Sequence, residues 1–208
     1  MSKIVHVGIV EDLEKELPIC HAIRHQVFDP ITKELDEKLQ LSIQETGSDI
    51  TENRNEEEVV DKLKDDRPRV NDGRDGLCKA HFLAYVIENQ DSKASSHFIN
   101  DAGEHGCVKY IGTVRLFEEE AEIERIKMKI ARISQLAVLE EYRKIYGVGG
   151  LLMTHCERYT VEKLGLDILQ FRAFGPSIGF YEKIGYENVG ERFWKGDVEL
   201  QLMRKRLT

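Results

Sequence analysis

The chain has 208 residues, with 38 acidic and 30 basic side chains and a net charge of −8 at pH 7. This length suits one domain with an ordinary hydrophobic core. The acidic balance argues against nucleic acid, or an anionic membrane surface, as the main partner. The sequence also lacks a run of about 18 apolar residues, so we expect no membrane span and no membrane partner.

The cysteines and the N-terminal residues indicate the cellular compartment in which we expect the protein. The cysteines form no Cys-x-x-Cys pair; they are Cys20, Cys78, Cys107 and Cys156. Such scattered thiols predict a reduced chain with no disulfide scaffold, and we expect no metal. Residues 1–7 contain one lysine and too short an apolar stretch for a secretory signal. We therefore expect a cytoplasmic protein, without separating the cytoplasm from the nucleus.

The first predicted elements are a strand at residues 4–10 and a helix at 13–28. Residues 29–76 then hold fifteen acidic and eight basic side chains and no aromatic one, which accounts for −7 of the net charge of −8. Such a segment buries too little apolar area to offset its ordering entropy. We interpret 29–76 as a polar insertion in a single domain of residues 1–208, with amphipathic helices expected at 34–43 and 56–63. It is either a surface excursion, which we favour, or a lid over a substrate.

Two further strands are predicted at 81–87 and 112–117, and they should pair antiparallel. Arg115 is a candidate substrate ligand, because a guanidinium on a central strand can hold a carboxylate or phosphate by two parallel hydrogen bonds. The alternative is a pairing with nearby glutamates. His81 is a candidate base, or a satisfied residue at the core edge. The charge run at 118–129 is predicted as a polar excursion before the next strand.

The most informative stretch runs from a strand at 133–138 through a glycine-bearing turn into a helix at about 149–163. Glycines allow the backbone to approach an anion closely, the helix start adds positive potential, and Arg143 and Lys144 add charge. The pattern predicts a pyrophosphate cradle, although close helix packing uses the same glycines. Neither a P-loop nor a GxGxxG motif is present.

Downstream, the pattern predicts a strand at 168–173 and a short helix at 177–184. A hairpin of strands at 186–193 and 197–203 then closes the sheet.

Two motifs resemble the GCN5-related N-acetyltransferase (GNAT) superfamily. Residues 144–149, Lys-Ile-Tyr-Gly-Val-Gly, are similar to the family's Arg/Gln-x-x-Gly-x-Gly/Ala loop; an alternative alignment places Tyr142 and Arg143 on its Tyr-Arg pair. Residues 177–186, Ser-Ile-Gly-Phe-Tyr-Glu-Lys-Ile-Gly-Tyr, resemble its Ala-x-x-Phe-Tyr-x-Lys-x-Gly-Phe/Tyr signature. Residues 23–28 and 112–115 are also similar to ElaA/YjcF-like small-molecule acetyltransferases.

The resemblance implies an α+β (α/β) GNAT fold. This is a mixed, mostly antiparallel twisted sheet of six to seven strands with about four flanking helices, in which the fourth and fifth strands are parallel and splayed. It implies acetyl-CoA as co-substrate and direct transfer to an amine acceptor, with a small molecule preferred over a protein lysine or N-terminus. A catalytically silent acyl-CoA-binding module is the alternative from another class. The oligomeric state stays open, a homodimer included.

The resemblance also assigns roles to residues. Tyr181 would donate a proton to the leaving thiolate, and a main-chain N–H around Ala137 or Val138 would polarise the thioester carbonyl. Phe174 stands where many members carry an asparagine, so Ser177 or stacking would replace that contact. No base is evident on the fourth strand. The expected cofactor-binding residues are Leu136, Ala137, Val138, Arg143, Lys144, Tyr146, Gly147, Val148, Gly149, Gly150, Leu151, Ser177 and Tyr181; those on the substrate side are Arg115 and His81.

Overall fold

A computed structural model describes residues 4–46, 74–89, 97–99, 105–144, 146–195 and 198–207. The helix predicted at 56–63 and the thiol of Cys107 lie outside what is described. None of the described helices has the length and apolar content needed to cross a membrane.

The described residues form eight strands and three α-helices. In chain order these are β1 (Val5–Ile9), α1 (Leu13–Thr46), β2 (Ala80–Asn89), β3 (His97–Ile99), β4 (His105–Ile123), β5 (Ile126–Val138), α2 (Val148–Glu162), β6 (Ile168–Phe174), α3 (Ile178–Lys183), β7 (Glu187–Lys195) and β8 (Val198–Arg206). The sheet order is β1-β2-β4-β5-β6-β8-β7, with β3 paired to β4 off this path. Only β5 and β6 are parallel among these described pairs. The predicted fold class is confirmed, and the fourth and fifth predicted strands are β5 and β6.

Helix α1 is longer than predicted, because it runs from Leu13 to Thr46 instead of ending at Phe28. Pro30 lies inside it. A proline lacks the N–H that would bond one turn back, but the residues after it can keep helical geometry. We expected residues 29–46 to begin a solvated insertion. Their backbone is instead part of helix α1.

The charge run at 118–129 is not an excursion, and that prediction was wrong. Strands β4 and β5 continue through it as one hairpin, closed by Glu124 and Arg125 at φ 53° and 68°. Left-handed backbone at both central residues matches the twist of a tight hairpin. Opposite charges face each other across the strands, with Lys129 Nζ at 2.6 Å from Glu118 Oε1. Cross-strand pairing of this kind lets a highly charged segment remain in a sheet.

The two long helices cover opposite faces of the sheet. On one face, Arg24 of α1 bonds to His81 of β2. On the other face, Gly112 of β4 lies under α2: a Cβ added there would stand 3.1 Å from Leu152 and 3.2 Å from Val148. The side chains pointing alternately from β2 and β4 therefore reach two different environments.

We predict that Gly112→Ala destabilises the fold by about 1–3 kcal/mol, because its methyl group would also lie 3.1 Å from the Ala137 carbonyl oxygen and overpack the α2 face. Urea unfolding measures this change. Gly8→Ala is the matched control in a strand, since nothing lies within 4 Å of its added Cβ. Equal midpoints for the two variants would contradict the close packing of α2 on β4.

Candidate functional site

Strand β5 separates from β6 near its middle. The two strands pair only at Ala131 with Leu169 and at Arg132 with Gln170, within the described residues. Beyond this point β5 keeps its pairing with β4, but the register shifts between Thr113 and Arg115. Gln135, opposite the shift, has φ 54°. A bulge with a left-handed residue bends the strand away from its neighbour. A cleft therefore opens between β5 and β6.

The turn after β5 presents main-chain amides at the start of α2. Gly147 has φ 62° and directly precedes the helix, without a side-chain cap. The first helical bond of the turn runs from Leu151 N to Gly147 O, at 3.0 Å. The amides of the first turn before Leu151 have no carbonyl one turn back to bond, and the first turn carries no acidic residue. This end of α2 can hold an anion such as a pyrophosphate.

The glycines of the turn serve two different purposes. A Cβ at Gly149 would lie 3.1 Å from Phe180 Cζ, so this glycine allows α3 to pack closely on α2. Around Gly147 and Gly150 an added Cβ would meet nothing within 4 Å. Close helix packing, the alternative interpretation, thus explains Gly149. The space at Gly147 and Gly150 is open to a ligand.

The basic residues of the turn are exposed. The Nε of Arg143 donates a hydrogen bond of 2.9 Å to the Val138 carbonyl, which ties the turn to the end of β5. Lys144 has φ 64°, an uncommon backbone for a residue with a Cβ. The ring of Tyr146 packs at 6.1 Å from that of Tyr142.

Tyr181 lies behind β6, on the α2 side of the sheet. Its ring centroid is 4.5 Å from that of Phe171 on β6 and 4.9 Å from that of Phe180. Burial raises the pKa of the phenol, and the nearby Cys156 adds to the rise. Within the described residues its hydroxyl makes no hydrogen bond. The group is therefore a neutral phenol with a proton to donate.

The remaining predicted cofactor residues differ in exposure. Ala137 and Val148 are buried. Leu136, Val138 and Ser177 are half-buried, and Leu151 is exposed. Ser177 precedes α3 and forms no side-chain cap there.

The two predicted substrate-side residues meet in a buried polar cluster on the α1 face. His81 and Arg115 are directly opposite each other on β2 and β4. Asp75 joins them from the segment before β2: its Oδ1 accepts from Arg24 Nη1 at 2.8 Å and from Arg115 Nη1 at 3.3 Å. His21 Nε2 reaches Asp75 Oδ2 at 2.8 Å. Two guanidinium groups thus share one carboxylate.

This cluster contacts the bulge through Arg115, whose Nε donates to Ser134 Oγ at 2.9 Å. Ser134 directly precedes the left-handed residue Gln135. The cluster therefore supports the strand segment at which the cleft opens. Arg115 is held between Asp75 and Ser134, so we assign it a positioning role instead of direct contact with a substrate.

His81 is fixed as a neutral imidazole. Its Nδ1 lies 3.1 Å from Arg24 Nη2, which can only donate, so the Nε2–H donates to the Asp75 carbonyl at 3.2 Å. Burial lowers the pKa of His81, and the charge of Arg24 lowers it further. Because both ring nitrogens are engaged, His81 has no lone pair to offer an ammonium.

A metal ion does not suit this cluster. Asp75, Cys78 and His81 bring one ligand atom each within 4.8 Å of one another. However, the two guanidinium groups at Asp75 repel a divalent cation, and the His81 nitrogens are occupied. The arrangement is that of an ion-pair network.

Sequence reasoning missed Arg24, His21 and Asp75. A signal existed for Arg24, since it lies on the same helical stripe as the buried Cys20, Ile23 and Val27. A cation among apolar positions at helical spacing indicates a buried partner. No such signal existed for Asp75, one of fifteen acidic residues in a polar segment.

Comparisons with known proteins agree with this geometry. The family model described as Acetyltransferase (GNAT) domain matches residues 94–188, a range that includes β3 to α3 and the start of β7. This part of the chain is therefore similar to the GNAT acetyltransferases. In Bacillus subtilis (strain 168), "Putative acetyltransferase BSU40680" is 26% identical over 132 residues, covering 59% of this chain and 83% of that protein.

Two solved structures share the fold. FeeM, an N-acyl amino acid synthase from uncultured soil microbes, aligns with a TM-score of 0.54 at 12% identity, over 99% of this chain and 92% of that one. An acyl-CoA N-acyltransferase from Pseudomonas aeruginosa aligns with a TM-score of 0.52 at 16% identity, over 98% and 99%. At these identities the similarity concerns the fold alone.

The lowered pKa of Asp75 predicts how the free energy of unfolding changes at acidic pH. Burial opposes its ionisation, but hydrogen bonds from His21 and Arg24, with the charges of Arg24 and Arg115, lower the pKa from 3.8 to about 2. A lowered folded-state pKa stabilises the fold above the unfolded value and loses this effect as the pH falls through 2. We expect the destabilisation by Asp75→Asn to shrink by about 1.5 kcal/mol between pH 6 and pH 2.5.

Urea unfolding of both proteins at the two pH values measures this. Asp12→Asn is the control, because Asp12 pairs with the exposed Lys15 at 2.9 Å and solvent screens that pair. A destabilisation by Asp75→Asn that is the same at both pH values would refute the ion-pair account.

Proposed function

We propose that this protein is a GNAT enzyme that transfers an acetyl group from acetyl-CoA to the primary amine of a small molecule, directly and within a ternary complex. The observation that carries the proposal is the position of the free first-turn amides of α2 beside the cleft between β5 and β6. One end of a long thioester would be held at the amides, and the reacting carbonyl would lie in the cleft.

We assign binding of acetyl-CoA to the glycine-bearing turn after β5 and to the start of α2. The amides from Gly147 to Gly150 would bind the diphosphate, helped by the helix dipole. Lys144 adds an exposed charge, whereas Arg143 is restrained by the hydrogen bond of its Nε to the Val138 carbonyl. The absence of acidic residues from the first turn of α2 favours the anion.

Carbonyl polarisation is assigned to β5. Beyond Arg132 the strand has no described partner on its β6 side, so main-chain N–H groups there can donate into the cleft. We assign this to the segment Leu136 to Val138. A preorganised donor aimed at a developing oxyanion stabilises the transition state more than the ground state.

Protonation of the leaving thiolate is assigned to Tyr181. Its raised pKa keeps the hydroxyl protonated at neutral pH, so it can donate as the C–S bond breaks. Direct transfer is favoured over a cysteinyl intermediate because burial raises the pKa of both Cys20 and Cys156. A cysteine nucleophile needs a lowered pKa.

A second candidate is a catalytically silent acyl-CoA-binding module. It is favoured by the lack of a base on β5: Ser134 is bonded to Arg115, and Gln135 does not titrate. Thiol release from acetyl-CoA over a panel of small amines, lysine peptides and free N-terminal peptides separates these functions. Binding of acetyl-CoA without turnover on any acceptor would favour the module, and turnover on peptides alone would favour a protein acetyltransferase.

We predict that Gly150→Asp weakens acetyl-CoA binding at least tenfold, because a carboxylate in the first turn of α2 would repel the diphosphate. The site has room for the side chain. The same charge should leave the melting temperature unchanged or raised, since an acid at a helix start is favourable. Calorimetric titration measures the affinity.

Gly150→Asn is the matched control, with the same shape and no charge. We expect it to change the affinity less than threefold. An aspartate variant that binds acetyl-CoA as tightly as the asparagine variant would place the diphosphate elsewhere.

We predict that Tyr181→Phe lowers kcat about 100-fold with little change in KM, because it removes a proton donor used only as the thiolate leaves. The variant should fold normally, since no described residue bonds to the hydroxyl. Steady-state kinetics with the best amine of the panel measures this.

Tyr186→Phe is the control for loss of a buried phenol. The Tyr186 hydroxyl donates to Glu157 Oε1 at 2.9 Å, so this change should lower stability and spare kcat. An unchanged kcat in Tyr181→Phe would remove Tyr181 from the mechanism.

A further inference from the structure

A pocket of about 280 Å³ lies towards the β1 edge of the sheet, beside the start of α1. Strands β1, β2 and β4 form its walls, and α1 contributes one charged side chain, Glu16. Leu83 and Val108 line it, as do Ile9 and Ile87, which are 45% and 38% exposed and stand at its mouth. The pocket is therefore mostly apolar and contains one acidic group.

Glu16 carries a carboxylate that is oriented but not paired with a cation among the described residues. Its Oε2 accepts hydrogen bonds from the amides of Glu11 at 2.9 Å and Asp12 at 3.1 Å, in the turn before α1. Its Oε1 accepts no hydrogen bond from the described part of the chain. One oxygen thus holds the start of the helix, and the other remains available to a cationic ligand.

Two tyrosine rings line the pocket beside this carboxylate. The ring centroids of Tyr85 and Tyr110 are 6.0 Å apart, and the ring planes are inclined by 60°. Burial raises the pKa of Tyr110, and the charge of Glu16 raises it further, which places the phenol near the carboxylate. Aromatic rings attract a cation through their quadrupoles, and the carboxylate attracts it through its charge.

The pocket is separated from the cleft between β5 and β6. None of the described residues that line it belongs to β5 or α2. Leu83 of the pocket pairs with Thr113 of β4, and Thr113 pairs with Ala137 of β5. Cys20 of α1 lies beside Thr113, and both side chains are fully buried. These packed side chains separate the pocket from the proposed position of the thioester, so a ligand held at Glu16 is not the acetyl acceptor.

The walls of the pocket favour methyl groups on the cation over N–H groups. A primary ammonium that faces Leu83, Val108 and Ile9 would lose hydrogen bonds to water. A quaternary ammonium donates no hydrogen bond, and its methyl groups can pack on aliphatic side chains and aromatic rings. At roughly 30 Å³ per water-sized group, the volume holds about nine non-hydrogen atoms. Choline, which has seven, fits this volume.

We propose that this pocket is a second ligand site, which binds a small quaternary ammonium compound without acetylating it. The Glu16 carboxylate balances the charge of the ligand, and the rings of Tyr85 and Tyr110 contact its methyl groups. The proposal goes beyond the acetyl transfer described above and does not depend on it. Because the ligand contacts α1 and the sheet together, its binding stabilises the folded state by mass action.

The test uses choline as the probe, together with its uncharged analogue in which carbon replaces the nitrogen. In calorimetric titrations of the native protein we expect choline to bind at least tenfold more tightly than the analogue, because only the cation is attracted by Glu16. Choline should also raise the melting temperature. No detectable binding of choline at about 10 mM, or equal affinities for the two compounds, would overturn the proposal.

Phosphorylcholine distinguishes a free small molecule from a lipid headgroup as the source of the ammonium. Its phosphate should weaken binding relative to choline, because Glu16 and the acidic residues of the turn before α1, Glu11 and Asp12, repel a second anion. Binding of phosphorylcholine that is tighter than that of choline would overturn the assignment to a free cation.

Glu16→Gln tests the carboxylate. The glutamine oxygen can keep both amide hydrogen bonds of Glu16, so we expect an unchanged circular dichroism spectrum and a choline affinity that falls at least tenfold. Glu14→Gln is the matched control, since it removes the same charge from the exposed surface of the same helix. Equal choline affinities in the two variants would overturn the site.

Two substitutions of Tyr110 test the aromatic contact. Tyr110→Leu removes the ring, and we expect the choline affinity to fall at least threefold, whereas Tyr110→Phe keeps the ring and should change the affinity less than twofold. An equal loss of affinity in both variants would overturn the aromatic contact with the cation.

Thiol release separates this site from the acceptor site. We expect choline to release no thiol from acetyl-CoA with the native protein. Thiol release by choline that disappears in Glu16→Gln would make the ligand a substrate and overturn the proposal. If acetyl-CoA itself does not bind, the proposed transfer fails, and titration of choline into the free protein still decides the second site.

Discussion

Strand β5 pairs with β4 along its length but does not pair with β6 beyond Arg132 within the described residues. The candidate site depends on this separation of β5 from β6. A sheet without the bulge would continue its hydrogen bonds and close the gap. With Gln135 in a left-handed conformation, main-chain groups of β5 point to open space instead of a neighbouring strand. The same departure directs the chain towards the start of α2, so the cleft and the glycine-bearing turn before α2 share one origin.

The buried ion-pair network holds this geometry from the opposite face. Asp75 links α1, β2 and β4 through four hydrogen bonds, and Arg115 carries the link on to Ser134 beside the bulge. Such a network is costly to desolvate and costly to break by removing one member. It also anchors the chain at the point where it enters β2. The polar segment before β2 therefore ends in a structural contact, whatever its remaining residues do.

The two faces of the sheet have different chemistry. On the α2 face, Tyr181 and the first-turn amides supply a neutral proton donor and a positive potential. On the α1 face, Glu16 and its aromatic neighbours supply a negative and polarisable pocket. The bulge of β5 lies between these two regions.

Local patterns in the sequence determined most of the elements and the glycine-bearing turn before α2. Alternation and glycine positions predicted β1, β2, β6, α2 and α3 within a few residues, and the two motifs predicted the splayed pair, because each depends on neighbours in the chain. The end of α1 and the charged hairpin were misjudged, since charged residues were taken to mean exposed loops. Only the tertiary structure brought Asp75 to Arg24 across 51 residues and placed Glu16 beside Tyr110. Contacts of that kind depend on how helices and strands pack, and no short-range pattern in the chain encodes them.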